Sequence, residues 1–286
     1  MNHPNFFVIG TPKGGTTSLF HYLEEHPEIF IPKIKEPHYF THQEVAKSYY
    51  RPRIITSQNE YLDLYKDVTN ETAIGDLSSS YLYHFKSANR IKNYNSESRI
   101  IVVLRNPVDR AISHYMMDIS LGFVKASLMD IIDKKENFSQ HYNQYVEVGQ
   151  YSEGLAAYYE VFNENRIKII LSDDLFLNTT ETMNELFDFL EVKDLQNLKF
   201  ERKFNQYKEP RYDFVKRLHR NKIMEKLKDL ISPEIKDKLK GFLFRTTAIK
   251  PEFIEERAAL FNLLKEDIIF TEKLIGRDLS GWKSKL

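Results

Sequence analysis

The sequence contains no cysteine, which excludes disulfides, thiolate metal sites and cysteine nucleophiles and suits a reducing compartment. It also lacks net charge, with 41 Lys and Arg against 41 Asp and Glu. No general affinity for nucleic acid follows from that total, and any anion site must come from local clustering. No stretch approaches the roughly 20 apolar residues of a membrane helix. The start, Met1-Asn2-His3-Pro4-Asn5, has no basic segment leading into an apolar one, so it is not read as a secretory leader. These absences predict a soluble, cytoplasmic protein with no membrane span and no nucleic-acid partner. Oligomeric state leaves no trace in the sequence. Repeats, low-complexity tracts and a clear linker are missing too, which favours a single domain over residues 1–286.

What is present is apolar and aromatic. Hydrophobic residues make up 42% of the chain, ample for a core, with 17 Tyr and 20 Phe among them. Apolar runs over 6–10, 29–31, 73–75, 99–104 and 167–171 read as strands, the run Arg99-Ile100-Ile101-Val102-Val103-Leu104 most clearly. Helical patterns fall between them, from Thr16 or Thr17 to before Pro27, near 61–65, from Pro107 onward, and over 126–134, 154–164 and 181–190. Strands alternating with helices predict an α/β fold with a central, mostly parallel sheet flanked by helices, a P-loop-like three-layer sandwich. After about residue 200 the strand signals stop, and 212–240 and 252–274 read as helices, giving a helical C-terminal segment over about 206–286.

The chemistry concentrates where the first strand meets the first helix, at Gly10-Thr11-Pro12-Lys13-Gly14-Gly15-Thr16-Thr17-Ser18. A glycine turn feeding a helix start lets backbone N–H groups approach an anion closely. A Walker A loop would read G-x-x-x-x-G-K-[ST]. Gly10, Gly15 and Thr17 fit that spacing, but Thr16 holds the lysine position and the lysine has moved into the loop as Lys13. The displaced cation argues for a phosphate-like group handled without a metal. An ordinary strand-to-helix turn with a chance glycine pair is the competing reading. Arg105 supplies a second anion contact at the carboxyl end of the clearest strand, with Ser113 eight residues on in the following helix. The bland alternative pairs Arg105 with Asp109 or Asp76. Asn106 and Pro107 suit the cap and first position of that helix.

Two separated anion contacts in this order resemble the sulfotransferases that use 3′-phosphoadenosine 5′-phosphosulfate (PAPS). Thr11 to Leu19 is similar to the family's 5′-phosphosulfate loop, and Leu104 to Tyr115 to its 3′-phosphate motif. Lys35-Glu36-Pro37-His38-Tyr39-Phe40 resembles the segment carrying the catalytic glutamate in bacterial and heparan sulfate-type members. Gly149-Gln150-Tyr151 and Gly276 to Trp282 are also familiar, so the resemblance covers roughly residues 5–205 and the last fifteen or so. Asp76-Leu77-Ser78-Ser79-Ser80-Tyr81 departs from the usual Glu-x-Ser-Pro-x-Tyr pattern in lacking the proline.

The resemblance implies a fold and a set of roles. Lys13, with Gly14, Gly15, Thr16, Thr17 and Ser18, would hold the phosphosulfate. Arg105, Ser113 and Tyr151 would hold the rest of the donor, whose product form is 3′-phosphoadenosine 5′-phosphate (PAP). Glu36 would be the general base, with His38 its rival and Lys35 stabilising charge at the sulfuryl group. Lys203, Asn205, Lys208 and Arg211 would belong to a basic loop covering the donor, and no metal is required. A solvated ion pair is the bland reading of Glu36. His21, His26 and His114 are expected to be structural. The acceptor is expected to be a glycan, glycolipid or other small molecule carrying a hydroxyl or amine. Tyr39, Tyr81, Tyr83, Tyr142 and Tyr145 are candidates for stacking on sugar rings, or for plain packing. A P-loop nucleotide kinase or phosphotransferase and a non-catalytic nucleotide-binding module are the alternatives in other classes.

Overall fold

A computed structural model describes residues 2–50, 52–193, 209–210, 244–245 and 252–283. Lys203, Asn205, Lys208, Arg211 and the helix expected over 212–240 lie outside the described residues.

Five parallel strands form the central sheet: β1 (Phe6–Gly10), β2 (Ile29–Phe30), β3 (Ala73–Leu77), β4 (Arg99–Leu104) and β5 (Ile167–Leu171), in the order β2-β3-β1-β4-β5. The register sets Phe7 opposite Asp76 and Ile100, and Leu104 opposite Leu171. β1 and β4 are buried on both faces, as a continuous apolar run requires once helices cover each side. The two-residue period of a strand divides them between two cores. Phe7, Ile9, Ile100, Val102 and Leu104 face one layer, and Phe6, Val8, Ile101 and Val103 face the other.

The first layer contains α2 (Ser87–Tyr94), α3 (Pro107–Leu121), α4 (Ser139–Tyr145), α5 (Ser152–Val161) and α7 (Ile254–Ile275). The second contains α1 (Thr16–Glu24) and α6 (Thr179–Leu190). Within the described residues, the elements read from sequence are present, with ends shifted by a few residues. One expectation is corrected: strands do not stop at residue 200. β6 (Glu209–Pro210) and β7 (Phe244–Arg245) pair antiparallel as a separate two-stranded ladder. A two-residue strand containing a proline has too little periodicity to be visible in sequence.

The chain leaves β1 for one side of the sheet through β2 and β3, then crosses β1 to β4 and β5. That reversal opens a crevice at the carboxyl ends of the strands, where ligands bind in open α/β sheets. Among the described residues, no helix is long and apolar enough to cross a membrane.

Candidate active site

A cavity of about 900 Å³ lies at the carboxyl ends of the strands. Each strand sends residues into it: the turn Pro12–Ser18 after β1, Lys35, Glu36 and His38 after β2, Ser79 and Ser80 after β3, Arg105 after β4, and Ser172 after β5.

The turn after β1 is built tightly. A Cβ on Gly14 would fall 2.9 Å from the Thr11 carbonyl oxygen and 3.2 Å from that of Val103. The backbone there packs with no room for a side chain. Ser172 donates its hydroxyl to the Gly14 carbonyl. Gly15, with φ of 107°, caps α1 without a side-chain acceptor, so the first N–H groups of α1 are left to an incoming anion.

Cations gather around this turn. The Arg105 Nη1 donates to the Lys13 carbonyl at 3.0 Å, which fixes the turn to the end of β4 across 92 residues of sequence. Neither suspected acidic partner takes Arg105. Asp109 pairs with Arg257 at 2.8 Å. Asp76 is buried beneath the cavity, where its carboxylate accepts from Tyr61 at 2.7 Å, Tyr81 at 2.8 Å and Ser78 at 2.8 Å. Burial pushes the Asp76 carboxyl up to about 6 against the pull of those donors. Lys13 Nζ rests 3.5 Å from the Met117 sulfur, a weak acceptor. Burial and the nearby Arg105 push its ammonium down to about 8. Lys35 Nζ donates to Thr17 Oγ1 at 2.7 Å and stands 3.5 Å from Glu36 Oε1.

Glu36 therefore faces the cavity between two anchors. Lys35 approaches one carboxylate oxygen, and Ser79 donates to the other at 3.0 Å. His38 sits behind it. Its Nε2 is 3.6 Å from Glu36 Oε2, longer than a good hydrogen bond, while its Nδ1 meets Ser80 Oγ at 2.9 Å. Burial lowers the His38 pKa, partly opposed by the charge of Glu36, so the ring is neutral near pH 7. The His38 N–H donates to Ser78 Oγ at 3.2 Å, and Ser78 in turn bonds Asp76. The buried aspartate thus orients the histidine through one serine.

The structure brings Lys13, Gly15, Thr16, Thr17, Ser18, Lys35, Glu36, His38, Arg105 and Ser113 to one cavity. Gly14 does not line it; its backbone packs against the Thr11 and Val103 carbonyls. Tyr151 is placed differently. It is fully buried, and its hydroxyl donates to the Arg105 carbonyl at 2.9 Å, so it supports Arg105 from behind and does not line the cavity. Of the five tyrosines considered for stacking, Tyr81 and Tyr145 are buried, Tyr39 stacks on Tyr61 at 4.1 Å, and Tyr142 lies under Lys135. Tyr83 lines the cavity. His26 is structural, bonded to the Lys193 carbonyl at 2.8 Å.

Other wall residues carried no sequence signal. Tyr49 and Tyr50 line the cavity and donate to Asp118, which also accepts from Tyr145 at 2.6 Å. Tyr50 Oη is 2.6 Å from His114 Nε2, and Arg110 Nη1 is 3.3 Å from His114 Nδ1. Burial, reinforced by Arg110, pushes the His114 pKa well down. Ser79 did belong to a hydroxyl-rich loop visible in sequence, which was the one available hint of its contact with Glu36.

Comparison with known proteins bears on the family and the fold. The sulfotransferase domain family matches residues 3–259. A crystal structure of a sulfotransferase from Alicyclobacillus acidocaldarius superposes with a TM-score of 0.71 at 26% identity, covering 99% of this chain and 100% of that one. Carbohydrate sulfotransferase 15 of Mus musculus is 25% identical over 248 residues, which is 67% of this chain and 44% of that protein. Heparan sulfate glucosamine 3-O-sulfotransferase 3B1 of Mus musculus is 31% identical over 121 residues, 41% of this chain and 27% of its own length. A membrane-associated sulfotransferase, kil1 of Dictyostelium discoideum, is 35% identical over 116 residues, 41% of this chain and 23% of that protein. The chain spans less than half the length of these curated relatives.

Proposed function

The chain belongs to the sulfotransferase family, and on that premise we propose that it transfers a sulfuryl group from PAPS to a hydroxyl or amine of a glycan or glycolipid, with Glu36 as general base. The observation that carries the proposal is that Glu36 shares one cavity with the cations Lys13, Lys35 and Arg105. Transfer needs a base for the acceptor proton and cations for the departing phosphate, held in one line.

The donor supplies an activated sulfuryl group. The packed backbone over Thr11–Gly15 and the uncapped start of α1 fit its 5′ end, and Arg105 with Ser113 fits its 3′-phosphate. Lys13 and Lys35 neutralise charge at the 5′ end. Glu36, steadied by Ser79, takes the proton of the acceptor. Neutral His38 packs behind the carboxylate, bonded to Ser80 and 3.6 Å from Glu36 Oε2. The displaced lysine of the turn sets the reading apart from a triphosphatase. The proposal requires no metal and places the enzyme in the cytoplasm.

The test measures PAP and ATP binding by calorimetry, and labelled sulfuryl transfer with and without a chelator. PAP binding and chelator-insensitive transfer are expected. Glu36→Gln keeps PAP binding and slows transfer by about 100-fold or more, the range of a positioned base. A Glu36→Gln variant with normal turnover beside an inactive His38→Ala would move the base to His38. Binding of ATP in place of PAP would sink the donor assignment.

A further inference from the structure

Beyond Glu36 the cavity continues along the segment after β3 to α4 and the turn at Glu147–Gly149. Tyr83 joins these parts: its hydroxyl donates to Glu147 Oε2 at 3.4 Å and accepts from the Asn143 side-chain amide. This outer arm has room for a second reactant, and its chemistry differs from that of the anion turn.

Charge along the cavity is segregated. Lys13, Lys35, Arg105 and Lys135 are the lysines and arginines lining it among the described residues, and the first three gather at the anion turn. Lys135 belongs to the outer arm, but its ammonium is 2.8 Å from Glu147 Oε1 and lies 4.5 Å from the centre of the Tyr142 ring. The remaining charges there are acidic. Glu44 is gripped by both Arg90 nitrogens, at 2.8 and 3.1 Å, and Glu147 also accepts from Asn143 at 2.7 Å. No described cation of the outer arm is left for a ligand carboxylate or sulfate. A polyanion there would meet carboxylates already neutralised by Arg90 and Lys135, and to gain a cation it would have to break one of those pairs.

The other groups suit hydroxyls. Gln140 and Gln144 carry both donors and acceptors, as a sugar hydroxyl does, Tyr83 adds an aromatic face, and Asn143, whose amide donates to Tyr83 and Glu147, holds that ring in place. We infer that the acceptor of this site is an uncharged, hydroxyl-rich glycan, such as a neutral oligosaccharide or the head of a neutral glycolipid, and not an acidic polysaccharide or an acidic peptide. This rests on the sulfuryl-transfer reading above and narrows its acceptor.

The experiment offers the full chain and labelled PAPS to neutral lacto- and cello-oligosaccharides, and to N-acetylheparosan and unsulfated chondroitin fragments of equal length. Expected is a kcat/KM for at least one neutral series about tenfold or more above either acidic series, the scale of one mismatched polar contact. Asn143→Ala should raise the acceptor KM by about tenfold with the PAPS KM unchanged. Gln140→Ala, at an exposed position where folding is not at risk, should raise it in the same sense by a smaller factor. Equal or better transfer to the acidic series, or transfer to neither series while calorimetry still shows PAP binding, overturns the inference and leaves the donor reading standing. Loss of PAP binding in the wild-type chain overturns the donor reading itself and the inference with it.

Discussion

Lys13, Glu36 and His38 share a backbone property as well as a cavity. Their φ angles are 67°, 59° and 54°, in the left-handed region that non-glycine residues avoid at a cost of about 1 kcal/mol or more each. Hydrogen bonds hold each one there: Arg105 on the Lys13 carbonyl, Leu77 on the Glu36 N–H, and Ser78 on the His38 N–H. Backbone conformation aims these side chains, so moving them costs several contacts together. Lys13 gives this scale its prediction. Its ammonium is held down to about 8, and a bound anion favours the charged form and raises that value. On the proposed donor assignment, affinity for PAP should therefore be full below pH 8 and fall as pH rises above it, by up to about tenfold per unit. Calorimetry between pH 7 and 9.5 reads this directly. Lys13→Arg, protonated throughout, should flatten the profile, and a flat wild-type profile would refute the assignment. That Lys13 belongs to the cavity was legible because its displacement from the Walker position is a local pattern. Its lowered pKa was not, because the burial and the Arg105 charge that cause it come from β4.

Among the elements, α3 shows what is locally encoded. Asn106 accepts from the N–H groups of Val108 and Asp109 at 3.0 and 3.4 Å, and Pro107 fills the first helical position. Neighbouring residues satisfy one another, so the start of this helix could be read from sequence. The same holds for the turn after β1 and for the buried run of β4. The tyrosine clamp on Asp118 could not be read. Its partners lie 27 to 69 residues away, and nothing near Tyr49 or Asp118 announces the pairing. The acceptor wall was illegible for the same reason. The Asn106 amide also donates to the Trp282 carbonyl at 3.2 Å, so the cap has a second duty. Asn106→Ala should lower stability by about 1 kcal/mol for the cap and about another for the lost bond. The urea midpoint, at unchanged m-value, checks this, and PAP affinity should weaken as Arg105 loses its rigid neighbour.

On the scale of the whole molecule, the proposed anion site is braced from behind by α7. Asp267 accepts from the N–H groups of Tyr151 and Ser152 at 2.7 and 3.0 Å, which fixes the start of α5. Tyr151 then bonds Arg105. Asp267→Ala should cost about 2 kcal/mol of stability, as expected for bonds to a charged group. It should also weaken PAP binding severalfold while leaving acceptor KM unchanged. Tyr151→Phe should reproduce a smaller part of the PAP effect, since it removes the hydroxyl and keeps the ring. Unchanged PAP affinity in both variants would mean that Arg105 needs no brace.

That brace has a consequence for how the protein is made. Trp282 follows the asparagine it contacts by 176 residues, and Asp267 follows Tyr151 by 116. A ribosome exposing the Lys13 turn, β4 and Arg105 has yet to deliver the residues that steady them. During translation the growing chain carries the parts of an anion site without its rear support. The late-made residues Asp267 and Trp282 are thus the ones that finish the rear support of the proposed donor site.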